Sequence, residues 1–146
     1  MHVLIFGAAG MVGRKLAQHL VRAGALAGRE ITALSLVDVI EPEKPDGLGG
    51  RMALMTMDIS DPDAVAKSIA GRPKMIFHLA AIVSGEAEAD FEKGYRINLD
   101  GTRYILEAIR HEGRNTPYRP RFIFTSSIAV FGAPFPELIG DEFFTT

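Results

Sequence analysis

Seven residues near the N-terminus, Gly7-Ala8-Ala9-Gly10-Met11-Val12-Gly13, follow a short apolar run and open a helical pattern. That order has a specific chemical use. Gly7 lets the chain turn sharply off a strand, and Gly10 omits a side chain where an anion must approach backbone N–H groups. Gly13 lets the next helix pack closely on a sheet. The helix N-terminus adds unpaired donors and a positive dipole end, worth about 0.3–1 kcal/mol to an anion at an exposed site. The plainer account is a flexible turn that happens to contain glycine. Its position between strand and helix instead favours a dinucleotide diphosphate held by Gly7, Gly10, Met11, Val12 and Gly13.

Asp38 ends the second strand pattern, where a carboxylate accepts both hydroxyls of an adenine ribose; the alternative is an ordinary turn aspartate. Val39, Ile40 and Glu41 follow it. A carboxylate repels a 2'-phosphate, so NAD is expected as cofactor rather than NADP, and Arg14 is the residue that would reverse this. His78 lies on an apolar run and reads as buried structure, not as a catalyst. His2, His19 and His111 are scattered and form no metal-ligand cluster, so no metal is expected. Asn98 falls on the inner stripe of a long helix. A buried amide there must satisfy its hydrogen bonds, as a helix-to-strand brace or within a proton relay. Ser126 and Ser127 follow a fifth strand, which two hydroxyls could simply terminate.

The elements that must position these residues alternate strictly. Strands are expected at His2–Phe6, Ile31–Val37, Ala53–Met57, Met75–Leu79 and Arg121–Thr125, several of them apolar at consecutive positions, as in a parallel sheet covered on both faces. The first helix spans Met11 to Ala23, with Val12, Leu16 and Leu20 inward and Gly24 as a left-handed terminator. Asp61 caps a short helix whose first residue is Pro62 and whose inner residues are Val65 and Ile69. A long helix from Glu86 to His111 has Phe91, Tyr95, Asn98, Thr102, Ile105 or Leu106, and Ile109 as its inner stripe. Loops fall at Ile40–Gly50 and Gly113–Pro120. No internal repeat is present. The fold class is α/β, a doubly wound parallel sheet with right-handed crossovers.

The chain has 146 residues, 47% of them hydrophobic and 23% charged, with a formal net charge of -2 and no cysteine. That suits one globular domain, residues 1–146, and rules out disulfides and thiolate chemistry. Mixed charge favours neither nucleic acid nor an anionic membrane as partner. Nothing resembles a signal peptide or a bilayer-spanning run, so the cytoplasm is the expected location.

The spacing Gly-x-x-Gly-x-x-Gly resembles the extended short-chain dehydrogenase/reductase (NAD-dependent epimerase/dehydratase) family. Further resemblances follow in order: Asp58-Ile59, His78-Leu79-Ala80-Ala81, Asn98-Leu99-Asp100-Gly101-Thr102 and Thr125-Ser126-Ser127-Ile128-Ala129-Val130-Phe131-Gly132. The resemblance implies a Rossmann fold and NAD. It implies that Asp58 and Ile59 meet adenine, that the Leu79-Ala80-Ala81 backbone passes beneath the cofactor, and that Asn98 serves as brace and relay at once. Ser127 would orient the reacting oxygen as the catalytic hydroxyl of this chain, and Ser84 would line the substrate pocket. Within the family, Gly24–Glu30 and Val83–Phe91 resemble dehydrogenases that pass a hydride from a small 2-hydroxy or 3-hydroxy sugar acid to NAD. A nucleotide-sugar epimerase or dehydratase with tightly bound NAD shares every motif, and a non-catalytic dinucleotide sensor remains open.

The family's proton-transferring Tyr is assisted by a Lys four positions later, whose charge lowers the phenol's pKa. Here Leu99 follows Tyr95 at that spacing, Ala108 follows Tyr104 and Phe122 follows Tyr118. The chain is therefore expected to be the N-terminal portion of a longer enzyme, binding dinucleotide weakly and catalysing nothing alone. The longer enzyme is expected to be a homodimer, with Ile97, Gly101, Tyr104 and Ala108 as a stripe serving the contact.

Overall fold

The computed structural model describes residues 1–131 and 136–142. Gly132, the end of the last motif, lies outside them. In chain order the elements are β1 (His2–Phe6), α1 (Met11–Ala23), β2 (Ala25–Leu26), β3 (Arg29–Glu30), β4 (Ala33–Asp38), β5 (Arg51–Thr56), α2 (Pro62–Ala70), β6 (Met75–His78), α3 (Ser84–Ala89), α4 (Phe91–Gly94), a π-helical segment (Tyr95–Gly101), α5 (Thr102–Glu112), β7 (Arg121–Phe124) and a 3-10 turn (Ile128–Val130). Among the described residues, five parallel strands form one sheet in the order β5-β4-β1-β6-β7. This is the doubly wound sheet expected, with the order reversing at β1.

The central strand explains the apolar runs. Val3, Leu4, Ile5 and Phe6 are all fully buried, because successive side chains enter opposite cores. Val3 and Ile5 pack with Ala17, Leu20 and Val21 of α1 on one face. Leu4 and Phe6 pack with Val65 and Ile69 of α2 and Ile105 of α5 on the other. Asp61 caps α2 as expected, its Oδ1 accepting from the N–H groups of Asp63 (2.9 Å) and Ala64 (3.2 Å), with Pro62 opening the helix. Gly24 closes α1 at φ 63°, the left-handed conformation that glycine adopts without strain.

Four expectations need correction. Val12 is 57% exposed rather than inward: the buried face of α1 runs through Gly13, Ala17, Leu20 and Val21, its phase set by Gly13 against the sheet. A hairpin, β2 with β3, occupies the approach to β4, where no element was expected.

The long helix is not continuous. Asp90 leaves helical geometry at φ -135° and its side chain accepts from the N–H of Lys93 (3.0 Å), so it ends α3 and caps α4. The π-helical segment then shifts the helical phase before α5 begins. Phe91 and Tyr95 consequently face outward, their rings 4.7 Å apart, while Ile105 is fully buried and Leu106 exposed.

The stripe assigned to a dimer contact turns inward as well. Ala108 is buried, and a Cβ on Gly101 would stand 2.7 Å from Ile59 Cδ1. The exposed apolar positions of this region are Phe91, Tyr95, Leu99 and Leu106.

Candidate functional site

The carboxyl ends of β1, β4, β5 and β6 open onto one cleft of about 440 Å³, the region where open α/β sheets bind ligands. Its floor is the glycine loop. Gly7 has φ +83°, and a Cβ there would lie 2.6 Å from the Ala80 backbone nitrogen, so glycine is required on both counts. Gly13 is tighter still, with a Cβ falling 2.1 Å from the Gly7 carbonyl oxygen. Gly10 differs: a Cβ would meet only Gly7 O, at 3.4 Å. Packing scarcely demands glycine at Gly10, which lines the cleft, so the missing side chain leaves room in the cleft itself.

No side chain caps α1, in contrast to α2. The amides of its first turn, Met11 to Gly13, therefore have no side-chain acceptor, and Gly10 just before them lines the cleft while Met11, Val12 and Gly13 do not. Met11 and Val12 are exposed, and Gly13 is buried.

Asp38 sits beside the loop at the end of β4. Its Oδ2 accepts from the Ala9 N–H (2.8 Å) and its Oδ1 from the Val39 N–H (2.7 Å). Two backbone donors hold the carboxylate at the cleft wall with acceptor capacity left on each oxygen. Met57, Asp58 and Ile59 form the wall beyond. Asp58 is exposed, its Oδ1 accepting from the Ser60 N–H (2.8 Å). Ile59 is buried, with its side chain packed closely under Gly101.

Leu79, Ala80 and Ala81 run along the opposite wall and continue into Ile82. Asn98 lines none of the cleft and is exposed rather than buried. Its amide nonetheless grips one residue at both ends: Nδ2 donates to the Ile82 carbonyl and Oδ1 accepts from the Ile82 N–H, each at 3.0 Å. The bonds tie the π-helical segment to the loop after β6 rather than to a strand.

A hydrogen-bond chain runs on behind it. The Thr102 hydroxyl donates to the Asn98 carbonyl (2.8 Å), leaving its oxygen to accept from His78 Nε2–H (2.8 Å). His78 is therefore buried structure, as expected. Burial pushes its pKa down to about 4, and Nδ1 has no hydrogen-bond partner among the described residues.

Ser84 begins α3 outside the cleft and is exposed. Ser127 follows β7, exposed and apart from the cleft, its carbonyl accepting from Val130 N–H (3.2 Å). The structure thus brings together Gly7, Gly10, Asp38, Asp58, Ile59, Leu79, Ala80 and Ala81, but not Ser84 or Ser127. Sequence reasoning missed Ala9, whose N–H fastens Asp38, and the outer wall of α3 and α4. There Lys93 is ion-paired with Glu86, whose hydrogen bond holds the Lys93 pKa above its ordinary value. Asp90 three residues before Lys93 was the available signal, as an N-cap inside the supposed helix. Among the described residues no cluster could hold a metal ion, and no helix is long and apolar enough to cross a membrane.

A parallel sheet reversing at β1, with a glycine loop at the reversal and a carboxylate on the neighbouring strand, defines a Rossmann-type dinucleotide-binding unit. The NAD dependent epimerase/dehydratase family pattern matches residues 3–145, and the chain belongs to that family. It is 42% identical to D-erythronate dehydrogenase of Cupriavidus necator, over 97% of this chain and 43% of that protein. It superposes on the crystal structure of the nucleoside-diphosphate-sugar epimerase from Agrobacterium tumefaciens with a TM-score of 0.95 at 57% identity, covering 100% of this chain and 43% of that one. A short-chain dehydrogenase/reductase superfamily protein from Agrobacterium tumefaciens, solved with bound NAD, matches at TM-score 0.70 and 28% identity, with 100% and 39% covered. The chain therefore spans about two fifths of the length of the relatives it matches.

Proposed function

We propose that this chain is the NAD-binding part of a longer dehydrogenase that oxidises a small sugar acid such as D-erythronate. The observation that carries the reading is the Asp38 carboxylate, tied to Ala9 of the glycine loop at 2.8 Å over the cleft. It joins a ribose acceptor to a diphosphate seat as one rigid piece. The residues present fit NAD: Gly10 leaves the space, the uncapped start of α1 offers donors, and Asp58 with Ile59 borders the adenine end.

When bound, NAD supplies the hydride acceptor. The protein's own contributions are separate. Asp38 fixes the ribose and disfavours a 2'-phosphate by like charge. Leu79, Ala80 and Ala81 exclude water from beneath the cofactor, and Asn98 holds Ile82 so that this wall keeps its place. Ser127 hydrogen-bonds the substrate oxygen, and Ser84 borders the substrate, once the remainder of the enzyme closes over them. The reading includes a homodimer of the longer enzyme, for which the exposed Phe91, Tyr95 and Leu99 are suited; sedimentation of that form checks it.

Calorimetric titration of the 146-residue chain with NAD tests the binding claim, and the absence of binding would refute it. For the reaction, a form extended to the length of the relatives is offered D-erythronate and NAD. Net NADH formation supports the dehydrogenase. Conversion of a nucleotide sugar with no net NADH supports the second reading, an epimerase, which the likeness to the Agrobacterium tumefaciens structure favours.

A further inference from the structure

The cleft that would take a dinucleotide diphosphate is lined by three carboxylates, those of Asp38, Asp58 and Glu86, and by two cations, Lys93 and Arg96. A diphosphate entering it meets more charge of its own sign than of the opposite one, so it needs a cation that nothing else already matches. Lys93 does not meet that need, because its ammonium is ion-paired with Glu86. Arg96 is the unmatched one: among the described residues its guanidinium makes no ion pair or hydrogen bond. Asp100, four residues on, is held by Arg103 at 3.1 Å, and Glu92, four residues back, pairs with nothing among the described residues. The empty fold gains little from such a charge. Glu86 raises the Lys93 pKa, chiefly by its hydrogen bond, while Arg96 three residues along the helix works against it as a like charge.

The backbone that carries Arg96 is fixed at both edges of the cleft. Asn98, two residues later, grips Ile82 through both ends of its amide at 3.0 Å. Gly101, at the end of the same π-helical segment, packs on Ile59. Ile82 and Ile59 both line the cleft, so this segment spans its outer wall. Within it Arg96 and Ile97 line the cleft, whereas their neighbours Tyr95 and Asn98 do not. Arg96 is also exposed, and a ligand arriving from solvent can reach its guanidinium.

We propose that Arg96 is a cofactor-binding residue that supplies, from the outer wall of the cleft, the counter-charge for the dinucleotide's diphosphate. The proposal rests on the NAD reading above and adds a side-chain cation to the backbone donors of the glycine loop. A guanidinium suits the role, since its planar fork meets phosphate oxygens in pairs. No bond is made or broken, and the effect is electrostatic, so it weakens as salt rises.

The test uses ADP-ribose, which carries the diphosphate, and adenosine, which lacks it. Each is titrated onto the unaltered chain, Arg96→Met, Arg96→Lys and Lys67→Met, with circular dichroism as a check of folding. Calorimetry reads ADP-ribose, and NMR shifts at millimolar concentration read adenosine. Lys67 lies in the last turn of α2, outside the cleft, and controls for net charge. Arg96→Met should weaken ADP-ribose by about fivefold to tenfold at low salt and leave adenosine unchanged. The loss should narrow at high salt, be partly recovered in Arg96→Lys, and be absent in Lys67→Met. An unchanged ADP-ribose affinity in Arg96→Met overturns the proposal. Equal losses for both ligands overturn it too, and assign Arg96 to the base instead. If the unaltered chain binds neither ligand, the NAD reading itself fails and this one with it.

Discussion

The carboxylate of Asp38 and the backbone N–H of Ala9 are 2.8 Å apart, although 29 residues separate them in the chain. The end of β4 and the glycine loop are therefore fastened to each other, by this bond and by those of the Gly7 and Ala8 N–H groups to the Val37 carbonyl (2.9 and 3.0 Å).

Replacing Asp38 with Ala should weaken NAD binding by roughly 1.5–3 kcal/mol, about tenfold or more, because a charged acceptor is lost from both the ribose and the loop. Calorimetry reads the change. An affinity equal to that of the unaltered chain would remove Asp38 from the site.

Gly13→Ala places a methyl group 2.1 Å from the Gly7 carbonyl oxygen, contact with backbone that cannot swing away. Destabilisation of about 3 kcal/mol is expected, seen as a fall in the urea midpoint. Gly85→Ala, with nothing within 4 Å of the new methyl, is the control and should cause no loss.

His78 gives the fold a pH dependence of definite sign. Unfolded, it takes up a proton near its ordinary 6.5; folded, burial delays this to about 4. Stability is thus full above 6.5 and declines as pH falls from there towards 4, by up to about 1.4 kcal/mol per unit. His2 shifts in the same direction, chiefly through burial, and adds to the slope. Urea denaturation across this range should show a flatter profile for His78→Gln; an identical profile would mean that His78 is not the group responsible.

Asn98→Leu removes both hydrogen bonds to Ile82 and should cost about 1–2 kcal/mol. Hydrogen exchange should quicken at the Ile82 amide more than at the sheet amides of β1. Equal exchange at Ile82 in both proteins would show that the brace is not maintained in solution.

In a form extended to the length of the relatives, Ser127→Ala should lower kcat by about 10²–10³ with little effect on KM, as expected for a donor used in the transition state. Retained kcat would leave Ser127 as the end of a strand and nothing more.

The sheet was readable because burial on both faces leaves unbroken apolar runs such as Val3–Phe6, and because caps such as Asp61 and Gly24 have strong local chemistry. The cleft followed from it, since glycines and a carboxylate at strand ends admit few other uses. What the sequence concealed was phase. Val12 fits a helical stripe by spacing, yet the close approach at Gly13 turns it to solvent. Phe91 and Tyr95 fit one too, until Asp90 and the π-helical segment rotate the chain. Neither effect is a property of periodicity; both depend on a neighbour meeting one position. The Ala9–Asp38 bond was hidden for the same reason, being a backbone donor with no side-chain signature.

Two helices of this fold begin differently: α2 is stoppered by its own Asp61, while α1 starts at Gly10 with nothing in its opening. Gly10 already has the extended backbone, φ -68° and ψ 164°, that suits a self-capping aspartate. Gly10→Asp should thus strengthen the protein by about 1 kcal/mol and, on the proposed reading, compete with a diphosphate for the same donors. On the proposed reading, a bound diphosphate would finish the helix, so that holding the ligand and completing the fold would be a single event.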